Sequence, residues 1–202
     1  MNVTLDTNCI IDLEESRPPA AALHGLIERH ERGVIRLRVT GISASERQPD
    51  GQYAPNFELF RQKLANAGLN EVEILKPISY WGVTYWDWCL WTNDKLVELE
   101  RQIHSILFPN IEFVYTDYCA ARGITDTSQV DRKWRNAKCD VLAMWCHVNY
   151  GGHIFVTSDP DFLKPNKKAA LQMLGAGNIA PPDEALRLVD THHNAQLSLP
   201  NG

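Results

Sequence analysis

Paired cysteines are missing from this 202-residue chain. Its five cysteines, at positions 9, 89, 119, 139 and 146, are odd in number and include no CxxC spacing. That excludes a disulfide framework and a zinc knuckle as organising features, and reduced thiols in a cytoplasm fit better. Long apolar runs are missing as well. None approaches the roughly 18 residues of a membrane span, so no membrane partner is expected. No basic segment precedes a long apolar stretch at the start, so no secretory signal is read there. Repeats and low-complexity tracts are absent. A large excess of charge is absent too: 20 Lys and Arg against 25 Asp and Glu leave a net charge of -5. That argues against a general nucleic-acid binder, which needs local cations for phosphate contacts. It does not exclude a nuclease, because metal-binding carboxylates add to the negative total and bound cations reverse the local field.

What is present is enough apolar material to bury one core. Hydrophobic residues make up 44% and charged residues 22%, which suits a single domain over 1–202. Short β-like runs alternate with helical patterns. Strands are expected over residues 2–5, 34–42, 71–75 and 153–157, with a last one beginning at Ile179. Residues 9–13 read as an apolar segment. Helices are expected over 20–32, 57–67, 94–107, 165–174 and 182–189. Ser43 and Ser128 are read as helix caps, Ser128 opening a long helix stopped by Gly151 and Gly152. The tail from 192 to 202 is expected to fray. Alternation of this kind predicts an α/β fold: a parallel sheet with helices on both faces in three layers.

Four short acidic segments stand at junctions of these elements. Asp6 follows the first strand and Glu46 the second. Asp140 lies on the long helix, and Asp159 follows the strand 153–157. Taken singly, each has an ordinary reading as a cap, a turn or an exposed helix residue, and Asp50 rivals Glu46. Ligands of parallel α/β sheets bind outside the carboxyl ends of the strands. One sheet edge would therefore gather these acids, and cations would be needed to neutralise them.

The segments VTLDTNCIIDL, GISASE, CDVLAMWCHVNYGGHIFVTSDPDF and LQMLGAGNIAPPDEAL, in that order, resemble PIN-domain ribonucleases of the bacterial toxin type. The resemblance implies a Mg²⁺- or Mn²⁺-dependent hydrolase of single-stranded RNA. It implies that Asp6, Glu46, Asp140 and Asp159 are the acidic quartet, with Asp161 a further metal ligand. It assigns supporting roles to Asn8 and to Thr157 or Ser158. It also implies an antitoxin-like protein partner, and leaves a homodimer open. Two alternatives stay beside it: a DNA or structure-specific nuclease using the same site, and a non-catalytic scaffold that binds partners.

The chain departs from the compact pattern of that family between about 77 and 130. This insertion is Trp-rich and helical in pattern. Trp81, Trp86, Trp88 and Trp91 are read as packing or partner contacts in preference to base-stacking platforms. Arg135, Lys138, Lys164 and Lys167, close in sequence to Asp140 and Asp159, are the expected phosphate contacts.

Overall fold

A computed structural model describes residues 1–45, 57–85 and 88–197. Five parallel strands form one sheet in the order β3-β2-β1-β4-β5. They are β1 (Asn2–Leu5), β2 (Arg36–Thr40), β3 (Glu73–Leu75), β4 (Ile154–Val156) and β5 (Asn178–Ala180). Between and around them run α1 (Thr7–Glu14), α2 (Ala20–Glu31), a 3₁₀ turn (Gly41–Ser45), α3 (Phe57–Asn66), α4 (Asp94–Leu107), α5 (Tyr115–Arg122), α6 (Arg132–Asn149), α7 (Pro160–Leu163), α8 (Pro165–Met173) and α9 (Pro182–Leu197).

Side chains alternate across a strand, so each strand feeds two cores. Val3, Leu5, Leu37, Val39, Ile154 and Val156 point to one face, where α1, α2, α3 and α9 cover them. Phe155 and Ile179 point to the other, under α6, α7 and α8. The expected three-layer α/β/α architecture is present.

Most of the segment 77–130, expected as an insertion, belongs to the second core, while Tyr85 and Trp88 pack against the first. Ile103 and Leu107 of α4, and Tyr118 and Cys119 of α5, join the same cluster as Phe155. α6 is therefore buried nearly all round: Val141, Leu142, Ala143, Met144, Trp145 and Cys146 are inaccessible to solvent. A helix apolar on every face must be covered on every face, and here the sheet lies on one side and α4 on the other. The Trp145 Nε1–H donates to Leu96 O at 3.0 Å and ties the two helices together. No helix among the described residues is long and apolar enough to cross a membrane.

Four local expectations change. The segment 9–13 is part of α1, which opens two residues earlier because the Asp6 carboxylate caps it. The long helix is capped by Asp131, not Ser128. The Asp131 Oδ1 accepts from Lys133 N at 2.9 Å and Trp134 N at 3.2 Å, and a charged acceptor suits the positive end of the helix. α5 was not anticipated. The tail expected to fray from 192 is helical through Leu197.

Candidate functional site at the carboxyl edge of the sheet

β1 is the centre of the strand order, with β2 on one side and β4 on the other. Connections leave in opposite directions there, which opens a crevice outside the strand ends. The residues that follow β1 and β4 line it.

Asp6 is the first residue after β1, and its N–H continues the ladder to Val156 O at 2.9 Å. Its Oδ1 accepts from Thr7 N at 2.8 Å. Its Oδ2 accepts from the Thr157 hydroxyl at 2.6 Å, across 151 positions of sequence. The residue is only 5% exposed. Burial raises its pKa to about 6; the Thr157 and Thr7 bonds pull it down, and the charge of Asp159 pushes it up.

Thr157 is a fully used hydroxyl. It donates to Asp6 and accepts from Asn8 Nδ2 at 3.4 Å and Asp159 N at 3.0 Å. With both lone pairs taken, its proton has one direction left. Asn8 also accepts from Ser158 N at 3.4 Å. Asp159 caps α7 by accepting from Asp161 N at 2.7 Å, with Pro160 in the first helical position.

Asp12 joins this group and was not read from the sequence. It lies one turn beyond Asn8 on α1, is buried, and accepts from Ser158 Oγ at 3.2 Å. Its outer side meets Arg17 at 3.4 Å. The i, i+4 spacing from Asn8 was the available signal, hidden inside a stretch read as merely apolar.

The other expected site residues fall differently. Asp140 is half-buried on α6. Glu46 and its rival Asp50 lie outside the described residues. Among the described residues, no three His, Cys, Asp or Glu side chains form a group able to hold a metal. Asp161 stands between Lys164 and Lys167, and the bond from Lys164 holds its carboxyl below the usual range. Those two lysines therefore already have a carboxylate partner. By contrast, no Lys, Arg or His forms an ion pair with Asp6 or Asp159 among the described residues.

Lys138 is not a surface cation. Its side chain is fully buried against Glu100, 2.6 Å away. Its ammonium also donates to the Tyr80 hydroxyl at 3.3 Å and lies 4.1 Å from the Phe113 ring centre. A charge enclosed on all sides cannot reach a phosphate, so its expected role as a phosphate contact is withdrawn. Arg135 donates from Nε and Nη2 to Ser45 O, at 3.3 and 3.1 Å, and from Nη1 to Gly82 O at 2.7 Å. It thereby joins α6, the turn after β2 and the insertion.

The tryptophans divide. Trp88 stacks on Phe57 with ring centres 4.4 Å apart, and the Arg61 guanidinium lies 4.6 Å from its centre. Trp81 and Trp91 are 80% and 83% exposed. Trp86 lies outside the described residues.

No family model matches the chain, and no curated protein and no solved structure matches it.

Proposed function

We propose that the crevice at the carboxyl edge is the site of a divalent-metal-dependent nuclease acting on single-stranded RNA, as the resemblance to PIN-domain ribonucleases implies. The observation that carries this reading is the Asp6–Asp159 pair: two neighbouring carboxylates at the switch point of the sheet, with no described basic side chain to neutralise either. Burying an uncompensated carboxylate is costly. Residues retained at that cost are candidates for function.

The donor set fits a hard cation. It consists of the Asp6 and Asp159 carboxylate oxygens, and Thr157 orients the first of them. Mg²⁺ commonly takes only one or two protein carboxylates and keeps several waters, so three converging acids are not required. Mn²⁺ accepts the same donors. Asp6 and Asp159 would hold the ion, which supplies an acidified water and charge neutralisation at the phosphodiester. Thr157 fixes the orientation of Asp6, and Asn8 and Asp12 hold the segment that carries Asp159. By the resemblance, Asp140 and Glu46 would bind the ion through water or orient the nucleophile. None of the five cysteines forms a disulfide, which fits a reducing compartment for this activity.

The test uses labelled single-stranded RNA, single-stranded DNA and duplex, with Mg²⁺, Mn²⁺ or chelator. Cleavage of RNA alone, stopped by chelator and reduced to background in Asp6→Asn and Asp159→Asn, is the expected result. Thr157→Ala should lose roughly 10–100-fold, the range for residues that orient metal ligands. Undiminished cleavage by Asp6→Asn would overturn the reading.

A further inference from the structure

A second feature is a groove beside the start of α6. The turn at Trp81 and Gly82 faces the segment before α6 and the first turn of that helix across a groove of about 690 Å³. Trp81, Gly82, Val130, Asp131, Arg132 and Arg135 line it. The Trp81 ring is 80% exposed, although the backbone beside it is well held. Gly82 has φ +69, and a Cβ there would meet Val130 at 3.1 Å. Only glycine adopts that conformation without strain. Gly82 O accepts from Arg135 at 2.7 Å. An exposed aromatic ring on a fixed turn is a preorganised platform, because an indole side chain has few rotamers to lose.

The groove is connected to the carboxylate site by direct bonds. Arg135 lines the groove and holds Ser45 O. The Ser43 hydroxyl, two residues earlier, accepts from Thr7 Oγ1 at 2.8 Å, and Thr7 N is bonded to Asp6.

Charge favours an anionic occupant. Arg132 is exposed and forms no ion pair among the described residues. The one carboxylate in the lining, Asp131, is turned inward: it caps α6 and accepts from the Tyr118 hydroxyl at 2.7 Å. Two other described tryptophans stand differently. Trp88 already has Phe57 and Arg61 against its ring, and Trp91 lies outside the groove.

We propose that this groove binds the unpaired segment of a single-stranded nucleic acid, one base stacking on Trp81 and the adjoining phosphate meeting Arg132. The proposal deepens the nuclease reading and rests on it for the substrate class. Every base has a stacking face, so recognition of this kind tolerates sequence and excludes a closed duplex.

The experiment uses the full chain in chelator, so that binding is read without cleavage. Fluorescence anisotropy follows a labelled single-stranded RNA and its duplex, and a salt series is recorded. Trp81→Ala should weaken single-strand binding about tenfold, within the range for loss of one base–aromatic stack. Duplex binding should not change. Trp91→Ala, equally exposed but outside the groove, should bind as the wild type does. Arg132→Ala should reduce the slope of log affinity against log salt by about one. Equal affinity of Trp81→Ala and wild type overturns the proposal. An equal loss in Trp91→Ala overturns it too. The two readings fail separately. Cleaving protein with unchanged Trp81→Ala affinity removes the groove and keeps the nuclease. A Trp81-dependent affinity in protein that never cleaves removes the nuclease and keeps the groove.

Discussion

At the residue scale, the molecule sets two buried titratable groups against each other. Asp6 has its pKa raised to about 6 by burial. Its contribution to stability is complete below the unfolded value of 3.8 and is lost as pH rises through 6. His147 behaves in the opposite way. Its Nε2 donates to Ala176 O at 2.8 Å, and burial lowers its pKa to about 4. Its contribution is complete above 6.5 and is lost as pH falls through 4. Each shift corresponds to at most about 3 kcal/mol. Between pH 4 and 6.5 the two slopes oppose, so the wild type in chelator should show a flatter profile than a variant that lacks Asp6. Asp6→Asn removes one slope. Its melting temperature should rise with pH through this window and exceed the wild-type value at pH 7. Thermal scans across the window check this, and parallel profiles for the two proteins would show that Asp6 is not perturbed. Added Mg²⁺ should stabilise the wild type at pH 7 and leave Asp6→Asn unmoved.

At the element scale, the join between α4 and α6 depends on a buried ion pair. Burial pushes the Lys138 ammonium down and the Glu100 carboxyl up, and each charge restrains the other's shift. Tyr80, Phe113 and Trp134 surround the ammonium with rings. Removing one partner strands the other in the core. Lys138→Met alone, or Glu100→Gln alone, should cost about 3–5 kcal/mol. The double change Lys138→Met with Glu100→Leu should recover most of that loss, and urea denaturation of all three variants gives the answer. If the double variant is as unstable as the sum of the singles, the pair is not the cause. In sequence, Lys138 follows Arg132, Lys133 and Arg135 and looks like one more member of a basic helix face. Its burial was illegible because Glu100 lies 38 positions away on a helix of the insertion. Asp12 was missed for the reverse reason: its neighbours Ile10, Ile11 and Leu13 are apolar, and only Ser158 beyond β4 shows what it faces.

At the scale of the whole molecule, the insertion is part of the core. Ile103, Leu107, Tyr118 and Cys119 cover Trp134 and the outer face of α6. A deletion of residues 94–122 would uncover Trp145 and Met144, both inaccessible in the intact chain. We expect the shortened protein to bind a hydrophobic dye and to unfold without a cooperative transition. A sharp melt close to that of the full chain would mean that the sheet and its remaining helices suffice. The same arrangement explains why α5 escaped notice. Of its eight residues only Tyr118 and Cys119 are buried, too few to produce a period.

The sequence by itself determined the alternation of strands and helices, and hence the parallel three-layer sheet. Local periodicity is enough for that, because a strand buried on both faces and a helix with an apolar stripe leave distinct repeats. It also marked Asp6 and Asp159 as acids that follow strands. The tertiary structure alone decided which acids meet. Pairing of β1 with β4 brings Thr157 to Asp6 across 151 positions and sets Asp159 beside it, while Asp161 is placed between two lysines and Lys138 is enclosed by the insertion. Those outcomes depend on strand order and helix packing, and neither is written in the spacing of residues along the chain.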